Sequence, residues 1–319
     1  MPVLDTPGSW EAMLGTWRKV YAASGLRPGE DRLFFAFSFG PFLGFWTAYE
    51  AAQREYLCLP GGGLGSAGRL DMINRYKATV LLCTPTYALR LGEILDGAPT
   101  SIRSILVAGE PGGSLPTVRD RISLLWNGAR VFDHHGLTET GPVTFEESPG
   151  RLRIDETAFL AEIIDPRTGS EVAHGKRGEL VLTTLERTAS PLLRYRTGDL
   201  VEKEIDARGV LRLPGGILGR CDDMVVVRGV NVYPSAVEEV LRGFPQLAEF
   251  EVVLTERSSM AEIRIRVELA DFEKDSKAEI VERMAEALRD RFALRIPVEL
   301  AAAGSLPRHE FKSRRWRQS

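Results

Sequence analysis

Two histidines, His134 and His135, stand side by side in the stretch VFDHHGLTETGP, followed by Gly136 and the pair Thr138–Glu139. Three chemistries could use such a stretch: a metal site, a catalytic histidine, or a loop around a nucleotide. Consecutive side chains on a strand point to opposite faces, so the two imidazoles cannot easily share a metal. The remaining histidines, His174 and His309, show no zinc spacing with cysteine, and no HExxH occurs. G-x-S-x-G and Walker A patterns are also missing, which removes support for hydrolase and P-loop readings. GLGSAG at 63–68 matches G-x-G-x-x-G, but the next strand ends in Cys83-Thr84-Pro85 without an acid to hold a ribose. It reads as a plain glycine-rich loop.

Three other stretches could carry chemistry. In VAGEPGGS a strand runs into glycines and then a helix, which frees backbone N–H groups for a phosphate or purine. An ordinary tight turn would look the same. In LLRYRTGDL, Asp199 follows a glycine turn, where a carboxylate can accept two hydrogen bonds from a ribose diol or simply close a β-turn. In GRCDDMVVVRGVNVYP, Arg220 precedes the paired acids Asp222 and Asp223, as either a functional junction or a polar linker.

The elements that must position these residues follow from periodicity. ATVLLC, SILV and ARVFD read as short buried strands, and TVRDRISLLW has helical spacing. Strands separated by helices imply a parallel α/β layer. From about residue 158 the pattern turns to strands: FLAEIID, GELVLTTL and VLRL. The last hundred residues read as a small α+β unit in β-α-β-β-α-β order. There DMVVVRGVNVYP is one strand, and two helices open with capping boxes, Ser235/Glu238 and Ser276/Glu279.

Composition sets the limits. The 319 residues suffice for about two domains, and a net charge of −3 gives no general pull toward nucleic acid or an anionic membrane. The basic C-terminal segment RHEFKSRRWRQS is the local exception and reads as a solvated tail. Cys58, Cys83 and Cys221 form no framework, which favours reduced thiols and a cytoplasmic location. No signal peptide is evident, and the uncharged run Leu33–Tyr49 reads as core or pocket wall rather than a membrane span.

Taken in order, AGEP, HHGLTE, RYRTGDL, GRCDDM, RGVNVYP and LPRHEFK resemble the adenylate-forming acyl-CoA synthetase superfamily. TVLLCTPTYALRL and GRCDDMVVVRGVNVYPSAVEEVL are most similar to its phenylacetate-CoA ligase branch. The resemblance implies a large α/β domain with a β-rich subdomain (1–220) and a mobile α+β domain (221–319). It implies that ATP and an aryl or apolar carboxylic acid form an acyl adenylate, which the CoA thiol then takes up. Adenylyl transfer without CoA, or a non-catalytic AMP-binding remnant, are the alternatives.

By position, the resemblance places Gly109, Glu110, Pro111, His135 and Gly136 around the adenine, with Thr138 on phosphate and Glu139 on Mg2+. It places Asp199 on the ribose with Arg220 nearby, Asp222 at the hinge and Lys312 in the adenylation step. Phe37, Phe39, Gly40, Pro85 and Tyr87 would wall the acyl pocket. Three departures stand out. The superfamily's Ser/Thr/Gly-rich phosphate loop would lie just before PVLDTP, so the large domain reads as N-terminally truncated, with an open edge that a second copy or a complementing N-terminal partner could cover. His135 replaces the usual Tyr, and Phe311 replaces the usual Gly before Lys312.

Overall fold

The computed structural model describes residues 4–40, 43–228, 230–257, 260–270, 276–308 and 315–318. Packing divides the chain between Leu218 and Gly219 into two compact units.

The first unit is built on a parallel sheet. Its strands are β1 (Arg32–Phe35), β2 (Leu57–Pro60), β3 (Val80–Cys83), β4 (Ser104–Val107) and β5 (Arg130–Asp133), in the order β2-β1-β3-β4-β5. Strands buried on both faces read as apolar runs, which is why β3 and β4 were legible. Alternation along each strand assigns the faces. Leu33 and Phe35 of β1, Val80 and Leu82 of β3 and Phe132 of β5 pack on helices α1 (Pro7–Ala23) and α2 (Leu43–Gln53). Phe34, Leu81, Ile105 and Val131 pack on α3 (Ser66–Tyr76), α4 (Pro85–Leu95) and α5 (Pro116–Leu125). The chain steps outward from β1 to β2 and then back across to β3. The topological switch point therefore lies between the carboxyl ends of β1 and β3, where open α/β sheets bind ligands.

After β5 the unit becomes antiparallel. A short hairpin of β6 (Gly136–Leu137) and β7 (Gly141–Pro142) is followed by β8 (Thr144–Ser148), β9 (Arg151–Ile154), β10 (Phe159–Ile164), β11 (Arg177–Thr184), β12 (Tyr195–Glu202), β13 (Glu204–Ile205) and β14 (Leu211–Pro214). One sheet runs β13-β14-β9-β8, and β10, β11 and β12 pair in sequence. Val143, Leu152, Ile154, Phe159, Ile163, Leu180 and Val201 close their shared core.

The second unit centres on the antiparallel pair Leu247–Arg257 and Met260–Leu269. Helices α6 (Pro234–Arg242) and α7 (Lys277–Phe292) bury Val237, Leu241, Ile280, Met284 and Leu288 against Phe250, Val252, Ile265 and Val267. Three sequence expectations are corrected here. VVVRGVNV is a hairpin, Val225–Val227 against Val230–Val232, with Arg228 at φ +50° in the turn. The Ser235/Glu238 capping box does not form: Pro234 occupies the first turn after Tyr233, and Glu238 instead meets Arg242 and Arg315. The Ser276/Glu279 box does form. The described residues of the basic C-terminal segment are not a solvated tail, since Trp316–Gln318 adds a parallel strand beside Val252–Leu254. Arg315 is buried against Glu249, and Arg308 pairs with the buried Glu268. No helix among the described residues is long and apolar enough to cross a membrane.

Candidate nucleotide and acyl site

The loop after β4 turns through Gly109 (φ +92°) and Gly112 (φ +129°), backbone that residues with a Cβ rarely adopt. Gly109 is exposed, and Glu110 and Pro111 are half-buried. The Glu110 carboxylate accepts the Thr86 N–H at 2.7 Å. That bond ties this loop to the first turn of α4, where Thr84 caps the helix through the Tyr87 N–H at 3.2 Å.

Beneath the loop lies a buried polar cluster. Asp133, at the end of β5, accepts the Ser114 hydroxyl at 2.5 Å, and its N–H meets Glu146 at 3.3 Å. Glu146 is paired with Arg119 at 2.6 Å. A Cβ on Gly113 would fall 2.3 Å from Asp133 Oδ1, so only glycine lets the loop approach that carboxyl. Burial pushes the Asp133 carboxyl up to about 7 against its Ser114 hydrogen bond, and the Glu146 charge adds to the rise. His134 turns the other way, edge-on to Trp17 with ring centroids 4.7 Å apart. Burial, with His135 beside it, drives its imidazole down to about 3, so it is neutral at ordinary pH.

His135 and Asp199 are brought together. The His135 N–H donates to Thr144 Oγ1 at 2.8 Å, and Nε2 lies 3.2 Å from Asp199 Oδ2. Both side chains are buried. Two groups assigned by resemblance to base and ribose thus touch each other. Asp199 is oriented from its own strand: its N–H donates to Thr197 Oγ1 at 3.0 Å. Before it, Gly198 takes φ +76° and donates its N–H to Glu179 at 3.1 Å. Gly136 also has no room for a side chain, because a Cβ would meet the Gly141 carbonyl at 2.8 Å. That contact closes the β6–β7 hairpin and presents Thr138 and Glu139 exposed at its tip.

Arg187 was not singled out from the sequence. Its guanidinium donates to the Glu139 carbonyl and is itself held by Asp5 at 2.8 Å. Nothing local marks it, because its partners lie 48 and 182 residues away.

The aromatic residues predicted to wall the acyl pocket form a cluster. Phe37 stacks on Phe45 at 4.1 Å, and Phe39 meets Phe37, Trp46 and Tyr49 within 5.4 Å. The exposed Gly40 accepts the Trp46 indole N–H at 3.0 Å. Pro85 and Tyr87 are buried in the first turn of α4, across the switch point. Arg220 and Asp222 belong to the second unit, where they pair at 2.9 Å, and Arg220 holds the Asp222 carboxyl below its usual range. Lys312 lies outside the described residues. No group of three or more His, Cys, Asp or Glu able to hold a metal occurs among the described residues. A single exposed carboxylate such as Glu139 nevertheless suits Mg2+, which commonly binds through one carboxylate plus substrate phosphates.

A doubly wound sheet with glycine loops at its carboxyl ends is an architecture that commonly binds nucleotides. Residues 32–185 match the AMP-binding enzyme family, and residues 229–318 match the AMP-binding enzyme C-terminal domain. The chain belongs to this family. It is 32% identical to the phenylacetate-coenzyme A ligase of Thermus thermophilus, over 91% of this chain and 71% of that protein. It is 30% identical to the phenylacetate-coenzyme A ligase of Pseudomonas putida, over 94% of this chain and 72% of that protein. Among solved structures it resembles 2-hydroxyisobutyryl-CoA ligase in the postadenylation state with 2-HIB-AMP, at TM-score 0.90 and 29% identity, covering 99% of this chain and 70% of that one.

Proposed function

We propose that this chain activates a small carboxylic acid with ATP as an acyl adenylate and transfers the acyl group to CoA. The observation that carries the reading is the approach of His135 Nε2 to Asp199 Oδ2, 3.2 Å apart, beside the exposed Thr138–Glu139 tip. It is what a ribose-reading carboxylate next to phosphate-facing groups would require. The ligase relatives and the acyl-AMP complex support the same chemistry.

In this reading Asp199 accepts the ribose hydroxyls, and the glycine loop after β4 lets backbone approach the adenine. His135 packs on the base. Thr138 donates to phosphate. Arg187 fixes the backbone at Glu139, which would hold Mg2+; that ion, when bound, spreads the negative charge of the phosphates. Catalysis of this kind is mostly positioning and electrostatic stabilisation. The aromatic cluster with few charges favours an aryl or apolar acid. Asp222 serves as the hinge of a mobile second unit, and Lys312 supplies a cation for the adenylation step.

The test is carboxylate-dependent exchange of pyrophosphate into ATP, with product analysis with and without CoA. Exchange that requires the acid, and a thioester only when CoA is present, is the expected result. AMP release without any thioester would leave adenylation standing and remove the CoA step. Binding of neither AMP nor ATP by calorimetry would overturn the reading.

A further inference from the structure

Arg69 lies on α3 and is 3% exposed, yet no ion pair with it forms among the described residues. A buried guanidinium without a carboxylate is costly unless other groups compensate it. Here Nε donates to the Gly61 carbonyl at 3.1 Å and Nη1 to the Ala36 carbonyl at 3.1 Å. The guanidinium carbon also stands 4.9 Å from the Tyr87 ring centroid, a cation–π distance. Tyr87 in turn meets the Ser66 hydroxyl at 3.1 Å.

The positions of these carbonyls matter. The β1–β2 ladder ends where the Gly61 N–H donates to the Phe35 carbonyl at 2.9 Å. Ala36 and Gly61 are where the two chains leave the sheet. Arg69 takes both carbonyls and so stands where the next ladder bond would form. Beyond it, Phe37 to Phe39 still run against Gly62, whose Cβ position is 3.6 Å from the Phe37 carbonyl and 3.7 Å from the Phe39 ring. One side chain therefore joins the ends of β1 and β2 to the α4 turn across the switch point.

We propose that Arg69 is a positioning residue for the acyl group. It fixes the base of the Phe37–Gly40 wall and the plane of Tyr87, and so sets which acids fit. The inference rests on the acid-activating reading above. Its planar fork reaches two carbonyls and a ring at once, which an ammonium cannot do.

The experiment measures, by calorimetry on the full chain, the affinities for AMP and for the sulfamate analogue of phenylacetyl adenylate. R69K and R69Q are compared with wild type, with thermal midpoints recorded. The added affinity from the acyl group should fall about ten-fold in R69K and further in R69Q, the scale of one lost charged hydrogen bond. AMP affinity should fall by a clearly smaller factor, because Arg69 reaches the loop after β4 only indirectly, through Tyr87 and the Thr86–Glu110 bond. An unchanged ratio of the two affinities would overturn the inference and leave the functional reading intact. Equal losses for both ligands, or loss of the thermal transition in both variants, would make Arg69 a folding residue and also overturn it. A wild-type chain that binds neither ligand would sink the functional reading and this inference together.

Discussion

Asp133→Asn and His134→Phe, made singly, should expose two opposed proton linkages that nearly cancel in the wild-type chain. The buried Asp133 carboxyl is raised from 3.8 to about 7, and the buried His134 imidazole is lowered from 6.5 to about 3. Between about pH 4 and 7 the folded chain keeps a proton on Asp133 that the unfolded chain has released, so stability falls as pH rises through that window. Between about pH 3 and 6.5 the unfolded chain binds a proton on His134 that the folded chain refuses, so stability rises with pH there. At about 1.4 kcal/mol per pKa unit, the Asp133 linkage is worth roughly 4 kcal/mol and the His134 linkage roughly 5. The wild-type contribution is therefore nearly flat from about pH 4 to 6.5. Asp133→Asn should leave a profile that rises over that range and then levels, and His134→Phe one that falls until about pH 7. Denaturant melts at several pH values, followed by tryptophan fluorescence, read this directly, since four of the five tryptophans lie in the first unit. Subtracting the wild-type curve removes the groups common to both chains. Variant and wild-type stabilities that run parallel from pH 4 to 8 would refute the burial argument for both residues.

Other consequences are simpler to test. Gly113→Ala would drive a Cβ to 2.3 Å from Asp133 Oδ1 and should cost about 1–3 kcal/mol in denaturant melts. Glu249→Gln removes one of the two carboxylates on the buried Arg315, leaving Glu238, and should cost about 1.5–3 kcal/mol. The Glu249 carboxyl is held below its usual range: burial raises it, and the Arg315 charge and hydrogen bond outweigh that. Its contribution is therefore present above about pH 4.5 and lost on acidification, so wild type and variant should converge in acid melts. Asp199→Asn should weaken AMP binding about ten-fold by calorimetry while leaving the melting midpoint in place.

The sequence made the parallel sheet legible because β3, β4 and β5 are short apolar runs between turn residues, and two of them end in distinctive loops. The candidate site residues could be singled out because their chemistry is local: glycines after β4, a Thr–Glu pair after β5, and an Asp after a glycine turn within β12. What escaped is contact between distant parts of the chain. Arg69 reaches carbonyls 8 and 33 residues away, and Arg187 an aspartate 182 residues away, with no periodicity to announce either. The C-terminal arginines read as solvated because charge alone does not reveal that Glu249 and Glu268 lie beneath them. Ser235 misled for the opposite reason: its capping pattern was present, but Pro234 had already begun the helix.

The hydrogen bond from Thr86 to Glu110 makes the turn that carries Pro85 and Tyr87 one mechanical piece with the loop after β4. An acid that displaces that turn therefore loads the loop beside the nucleotide, and a nucleotide that settles the loop presets the turn. Any such coupling has the same free energy in both directions. If the loop after β4 receives the nucleotide as proposed, selectivity among acids measured on the empty chain and on the nucleotide-loaded chain should differ.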